Sequence, residues 1–102
     1  MKEEDIITMG IICLDPVGHL VTVHGEPAHM GATDFRLLKF FLTHADRVFT
    51  RKQLLLNVWG KTVKVDVRTV DVHIRRLRKA LSSHGYDHYI QTVRTVGYRF
   101  SM

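Results

Sequence analysis

The stretch Arg68-Thr69-Val70-Asp71-Val72-His73-Ile74-Arg75-Arg76-Leu77-Arg78-Lys79-Ala80-Leu81 decides the fold. With Val67 before it, the apolar residues Val67, Val70, Ile74, Leu77 and Leu81 recur at intervals of three and four. That spacing predicts an amphipathic helix with one stripe turned to a core. At about 100° per residue, the opposite side carries Arg68, Val72, Arg75, Arg76 and Lys79. Asp71 and Arg75 stand one turn apart and predict an ion pair on the flank, worth about 0.3 kcal/mol. Val72 is the odd member of the cationic face, because it has no core to bury against there. In the major groove of DNA it would meet thymine methyl groups; an incidental surface valine is the alternative.

Working outward towards the C-terminus, residues 82–85 (Ser-Ser-His-Gly) break the helix and β character returns. Residues 89–93 and 97–101 predict two strands, with a turn at 94–96. Towards the N-terminus, Thr50-Arg51-Lys52-Gln53 has the form of a capping box, and Phe49 before it is placed to pack on Leu54 as a hydrophobic staple. This second helix has its apolar positions at Leu54, Leu55 and Val58 and ends at Gly60, leaving an exposed, partly apolar loop over 59–65. Before it, Phe35, Leu38, Phe41, Leu42 and Ala45 predict another amphipathic helix. It starts at Gly31 or Thr33, with Asp34 favourably placed in the first turn. The first thirty residues are cut by Gly10, by Asp15-Pro16-Val17-Gly18 and by His24-Gly25-Glu26-Pro27. The β-branched pieces left between them, 6–9, 11–14 and 20–23, are too short for helices and predict an antiparallel sheet of three or four strands. The order is sheet, three helices, hairpin.

The chain has 102 residues, 15 Lys and Arg against 10 Asp and Glu, and a formal charge of +5. At that size it forms one domain, burying about two thirds of its unfolded surface. The charge is not evenly spread. Residues 1–34 hold one Lys and six acids, residues 35–65 seven basic residues and one acid, and residues 66–102 seven basic residues and three acids. An acidic sheet end therefore faces a basic helical end, and the basic end suggests a polyanionic partner, the alternative being a solvated basic face. The single cysteine, Cys13, excludes an internal disulfide framework, fits a reducing compartment and predicts a small core residue. No apolar run approaches the roughly 18 to 20 residues of a membrane span, and the acidic start Met-Lys-Glu-Glu-Asp is unlike a secretory signal. The expectation is a cytoplasmic protein with no membrane partner.

Catalysis finds little support. There is no Gly-rich phosphate loop, no His-Glu-x-x-His and no Cys-x-x-Cys. Only His84 and His88 stand four apart, in a loop with Gly85 between them, so no metal or cofactor is expected. His19, His24 and His29 lie in or beside turns. His73, on the flank of the third helix, either donates to a phosphate or is a satisfied surface histidine. Three helices, the last long and arginine-rich, followed by a hairpin with Arg94 at its tip, spell a winged helix-turn-helix. A helix fits the major groove, and a narrow hairpin reaches the adjacent minor groove. An RNA-binding domain, a winged helix used only for protein contacts and a small enzyme are the competing readings. The first lacks an aromatic pair at the spacing of an RNA-stacking strand.

The 68–81 segment, together with Ile90-Gln-Thr-Val-Arg-Thr-Val-Gly-Tyr-Arg-Phe100, resembles the effector domain of the OmpR/PhoB family of bacterial response regulators. Leu14-Asp15-Pro16, Met30-Gly-Ala-Thr-Asp-Phe-Arg-Leu-Leu38 and Arg47-Val-Phe-Thr-Arg-Lys-Gln-Leu54 match it in order, so that the likeness covers essentially the whole chain. Phe40-Phe-Leu-Thr-His44 and the run from His73 to Leu81 resemble the phosphate-regulon members of the family in particular. The resemblance implies an α+β winged helix-turn-helix with an N-terminal four-stranded antiparallel sheet, three helices and a C-terminal β-hairpin wing, spanning residues 1–102. It also implies roles. Arg76 is similar to the base-reading arginine, with Val72 and Thr69 on thymine methyls and Arg94 in the minor groove. Arg68, His73, Arg75, Arg78, Arg51, Trp59, Thr92 and Tyr98 resemble phosphate contacts. The loop holding Trp59, Gly60, Val65, Asp66 and Val67 resembles the one with which such regulators engage the sigma factor of RNA polymerase.

Double-stranded DNA carrying tandem direct repeats, head-to-tail self-association on it, and a receiver domain of the full-length regulator are the implied partners. An effector domain of another OmpR-family regulator is the alternative. The receiver domain, with its phosphorylatable Asp, is absent from these residues, so a fragment beginning within an interdomain linker is expected. Two positions depart from the family pattern. Val67 stands where an acid is usual before the helix-opening Arg, with Asp66 one place earlier, so either the cap or a loop contact with polymerase is expected to shift. Thr95 replaces a glycine of the wing turn, which leaves a positive φ there an open point.

Overall fold

The computed structural model describes Lys2 and residues 4–102. The short N-terminal pieces form a four-stranded antiparallel sheet in chain order: β1 (Ile7–Met9), β2 (Ile12–Asp15), β3 (Leu20–Val23) and β4 (Glu26–Pro27). Alternation along β2 buries Ile12 and Leu14 completely. Cys13, between them, falls on the other face and is only half-buried, so it is not the core residue its apolar neighbours suggested. Asp15 closes the β2–β3 turn by accepting the backbone N–H groups of Val17 and Gly18, both at 3.0 Å.

Helix α1 (Ala32–Thr43) has Gly31 as its N-cap and buries Phe35, Leu37, Leu38, Phe41 and Leu42. It stops before Ala45, which packs half-buried against the core from the loop beyond. Strand β5 (Val48–Thr50) then leads into α2 (Arg51–Leu54), which continues as a π-helical turn over Leu55–Trp59. The capping box is complete: Gln53 N–H donates to Thr50 Oγ1 at 3.1 Å, and Thr50 N–H to Gln53 Oε1 at 2.9 Å. Gly60, with φ of 103°, ends the turn in a conformation that a side chain rarely adopts.

Helix α3 (Arg68–Ser82) buries Val70, Ile74, Leu77 and Leu81, as its periodicity predicts. Val67 does not join them. It is the N-cap, where the stripe has run out beyond the core, and it remains 40% exposed. Strands β6 (Ile90–Val93) and β7 (Gly97–Phe100) form the wing hairpin.

Strand β5 escaped the sequence reading, which saw in Phe49 only a helix staple. It pairs antiparallel with β7, Phe49 opposite Tyr98, giving a three-stranded sheet of order β5-β7-β6. This pairing requires a glycine at 97, because a Cβ there would lie 1.9 Å from the Phe49 carbonyl oxygen. One core joins the two sheets to the helices, with Phe41 and Phe100 the largest fully buried side chains.

Candidate nucleic-acid interface

The outer face of α3 presents Arg68, Val72, Arg75, Arg76 and Lys79, all exposed. Val72 is 45% exposed, so the valine stands open among the cations as its position on the helix predicts. Among the described residues, no carboxylate lies within ion-pair distance of Arg75, Arg76, Lys79 or Arg94. Arg68 differs. Asp66 Oδ1 accepts its backbone N–H at 2.8 Å, and Oδ2 pairs with its Nη2 at 3.3 Å. Val67, at the N-cap, offers no side-chain acceptor, and the Asp66 carboxylate one place earlier takes the first N–H of α3 instead. The Arg68 backbone N–H, and secondarily its guanidinium, hold the Asp66 carboxyl below the ordinary carboxylate range.

The inner flank of α3 is a network. Asp71 does not pair with Arg75 as one helical turn would suggest; it accepts Arg51 Nε at 2.7 Å and the Tyr98 hydroxyl at 2.5 Å, both on Oδ1. Burial pushes the Asp71 carboxyl up, but the Tyr98 hydroxyl and the Arg51 guanidinium outweigh it and hold it below the usual value. Burial, and then the bond to Asp71, push the Tyr98 hydroxyl up. The Arg51 guanidinium lies over the Tyr98 ring, 5.4 Å from its centroid. Arg78 donates Nε and Nη2 to the Ile90 carbonyl at 3.0 and 2.7 Å, and Nη2 also to Thr92 Oγ1 at 2.8 Å. Four of the expected phosphate contacts, Arg51, Arg78, Thr92 and Tyr98, therefore have partners within the fold that fasten α2, α3 and the wing together. Tyr98 is buried, because β7 is the central strand of its sheet.

His73 lies on the other flank, its Nδ1 2.6 Å from Oδ1 of Asp34, a buried residue of the first turn of α1. Trp59, half-buried at the end of the π-turn, sets its ring edge-to-face on His73 with centroids 5.2 Å apart. At the wing, Arg94 and Thr92 are exposed, and Thr95 takes φ of 66°. The wing turn therefore has the positive φ of the family pattern without its glycine, a conformation that costs a β-branched residue roughly 1 to 2 kcal/mol. Gly60 is half-buried, whereas Val65, Asp66 and Val67 are exposed on the loop that enters α3. The residues that sequence reasoning missed are Asp34 as a partner of His73 and Asp71 as the hub of the inner network. Neither leaves a local signal, since their partners lie 39, 20 and 27 residues away.

A long helix with an open cationic face, held against two shorter helices and followed by a hairpin with an arginine at its tip, defines a winged helix-turn-helix DNA-binding domain. Residues 25–100 match the family described as transcriptional regulatory protein, C terminal, and the chain belongs to the DNA-binding domains of OmpR/PhoB response regulators of two-component systems. It is 56% identical over 101 residues to the phosphate regulon transcriptional regulatory protein PhoB of Escherichia coli, a match covering 99% of this chain and 44% of that protein. The Pseudomonas aeruginosa protein of the same name is 59% identical over 95 residues, 93% of this chain and 41% of that one. The chain thus spans less than half the length of these relatives. Among solved structures, the DNA-binding domain of Klebsiella pneumoniae RstA in complex with the RstA box superposes with a TM-score of 0.81 at 39% identity, covering 95% of this chain and 97% of that one. The AdeR DNA-binding domain in complex with an intercistronic region gives 0.84 at 30% identity, with coverage of 92% and 97%. Among the described residues no helix is long and apolar enough to cross a membrane.

Proposed function

We propose that this domain binds double-stranded DNA sequence-specifically and thereby regulates transcription. Helix α3 enters the major groove, and the wing enters the adjacent minor groove. The observation that carries the reading is the set of cations without an ion-pair partner among the described residues, Arg75, Arg76 and Lys79 on α3 and Arg94 at the wing tip, with Val72 exposed in their midst. A cation at the surface that the fold does not neutralise is available to a phosphate or a base edge. Arg76 reads a base, Val72 and Thr69 meet thymine methyls, and Arg94 follows the negative potential of a narrow minor groove. Arg68, Arg75 and His73 hold phosphates. The inner network of Arg51, Arg78, Thr92 and Tyr98 sets the angle between α3 and the wing.

The likeness to PhoB supports a phosphate-regulon operator made of tandem direct repeats, occupied head to tail, with the loop over residues 59–67 turned to the RNA polymerase sigma factor in the cytoplasm. Similar domains solved in complex with an intercistronic region and with the RstA box support the DNA reading above the alternative of a winged helix used for protein contacts alone. Selection of bound duplexes from a random pool, followed by titration of Arg76→Ala on the selected site and on random DNA, tests it. The expected loss is about 1 to 3 kcal/mol on the selected site and little on random duplex. An equal loss on both removes the base-reading role, and binding without salt dependence favours the protein-contact alternative.

A further inference from the structure

His73 carries more than a place among the phosphate contacts. Its Nδ1 lies 2.6 Å from a carboxylate oxygen of Asp34, and both side chains are largely withdrawn from water, at 16% and 8% exposure. An ionised carboxylate only accepts hydrogen bonds, so this bond places the hydrogen on Nδ1. In the neutral imidazole the other nitrogen, Nε2, is then a bare acceptor. Nε2 has no partner among the described residues, and no side-chain nitrogen or oxygen there is both buried and unpartnered. It follows that Nε2 reaches the surface.

The position of His73 on α3 aims that nitrogen. It stands four residues after Thr69 and three before Arg76, within about 60° of both around the helix, on the side from which the base-reading strip is flanked. A phosphate oxygen arriving there meets a lone pair if the ring is neutral and an N–H if it is charged. The charged groups facing His73 are few. From α1 it is Asp34, from the π-turn the neutral ring of Trp59, and along α3 itself Arg76 one turn on. An imidazolium between the Asp34 carboxylate and a phosphate is flanked by two anions, which favours the charged form.

We infer that Asp34 and His73 form a proton-coupled phosphate clamp: the domain takes up one proton at His73 Nε2 when it docks on DNA. The proton comes from solvent, the only bond formed is that N–H, and the imidazolium then donates to Asp34 through Nδ1 and to the phosphate through Nε2. Asp34, which never touches DNA, is a positioning residue that fixes the tautomer and supplies the countercharge. Affinity for DNA is consequently coupled to pH. Where the free ring is neutral and the bound ring charged, it rises as pH falls by up to about tenfold per unit, the limit for one proton taken up.

The inference rests on the DNA-binding reading, and its test separates the two. Calorimetric titration of the 102-residue chain with a duplex selected from a random pool, in buffers of different ionisation enthalpy between pH 6 and 8.5, counts the protons taken up. An uptake of up to one proton is expected in the part of that range where the free ring is neutral and the bound ring charged, and none at any pH for His73→Gln, whose amide donates without titrating. Asp34→Asn, which keeps the shape and the acceptor but not the charge, should lose affinity at pH 8 and little at pH 5.5. Long-range 15N–1H spectra of the wild-type imidazole give a readout independent of any variant: one ring nitrogen protonated in the free domain at pH 8, both protonated on DNA. Binding without proton uptake, uptake unchanged in His73→Gln, or the same protonation state free and bound overturns the clamp and leaves the DNA reading standing. Absence of binding to any duplex at any pH overturns both.

Discussion

The two sides of α3 carry the same kinds of residue and put them to opposite uses. On the inner flank, Arg51, Asp71, Arg78, Thr92 and Tyr98 satisfy one another over distances of 2.5 to 2.8 Å. On the outer face and at the wing tip, Arg75, Arg76, Lys79 and Arg94 find no carboxylate among the described residues. A count of arginines does not separate these groups. What separates them is whether the fold has already provided an anion or a carbonyl, which makes an arginine a brace; without one it is a probe for something outside. The resemblance to known regulators implies DNA contacts for arginines of both sets; those of the inner flank have partners within the fold as well.

The sharpest way to break the comparison is to detach the wing, because both sets depend on it. Gly97→Ala drives a methyl into the Phe49 carbonyl, and the β5–β7 pairing cannot accommodate it without backbone movement. A stability loss of about 3 kcal/mol is expected by chemical denaturation, together with weaker binding to every duplex. A loss below about 0.5 kcal/mol would mean that the strand pairing is dispensable. Arg78→Ala comes next. It removes three donated bonds and leaves the Ile90 carbonyl to find water, at a cost of about 1 to 2 kcal/mol in folding. Arg75→Ala should leave folding within about 0.5 kcal/mol and show its effect only in DNA binding. Equal effects of the two on folding would dissolve the distinction between brace and probe.

A smaller effect sharpens the inner set. Because the Asp71 carboxyl is held below its ordinary value of 3.8 in the folded state, its contribution to stability is complete above that value and is lost as pH falls through the lower folded one. Asp71→Asn should therefore unfold with a flatter pH dependence in the acid limb, below about pH 4, than the parent. Identical acid limbs would place the carboxylate outside the network. The smallest effect expected is on Arg68, whose partial pairing with Asp66 sets it between the two groups. Arg68→Ala should weaken all duplexes alike and reduce the salt slope by about one unit.

Much of this domain was legible along the chain. The three-and-four spacing of Val70, Ile74, Leu77 and Leu81 fixed the face of α3, and Thr50 with Gln53 marked the start of α2, because a helical turn brings such residues together without help from the rest of the protein. The first three N-terminal strands and the wing were readable for the same local reason, as β-branched runs bounded by turns, whereas β4, Glu26–Pro27, lies in what the sequence reads as a turn and is a strand only because β3 pairs with it. Strand β5 was not readable either. Three residues, Val48 to Thr50, carry no periodicity of their own, and only β7 running alongside makes them a strand. Val67 showed the opposite failure, since the pattern extended one residue further than the core beneath it.

The candidate site divides along the same line. The sequence by itself determined which residues face away from the core on α3 and that most of them are cationic, because helical geometry converts spacing into direction. It also determined that a hairpin with an arginine at its tip follows. Only the tertiary structure decided that Asp71 belongs to Arg51 and Tyr98 rather than to Arg75, that Arg78 is held by the wing backbone, and that His73 rests on a buried carboxylate. These pairings join residues 12 to 39 positions apart, and they are set by how helices and sheets pack. The physical reason is that direction around a helix is a local property, whereas the partner of a charge depends on whatever the fold brings within 3 Å of it.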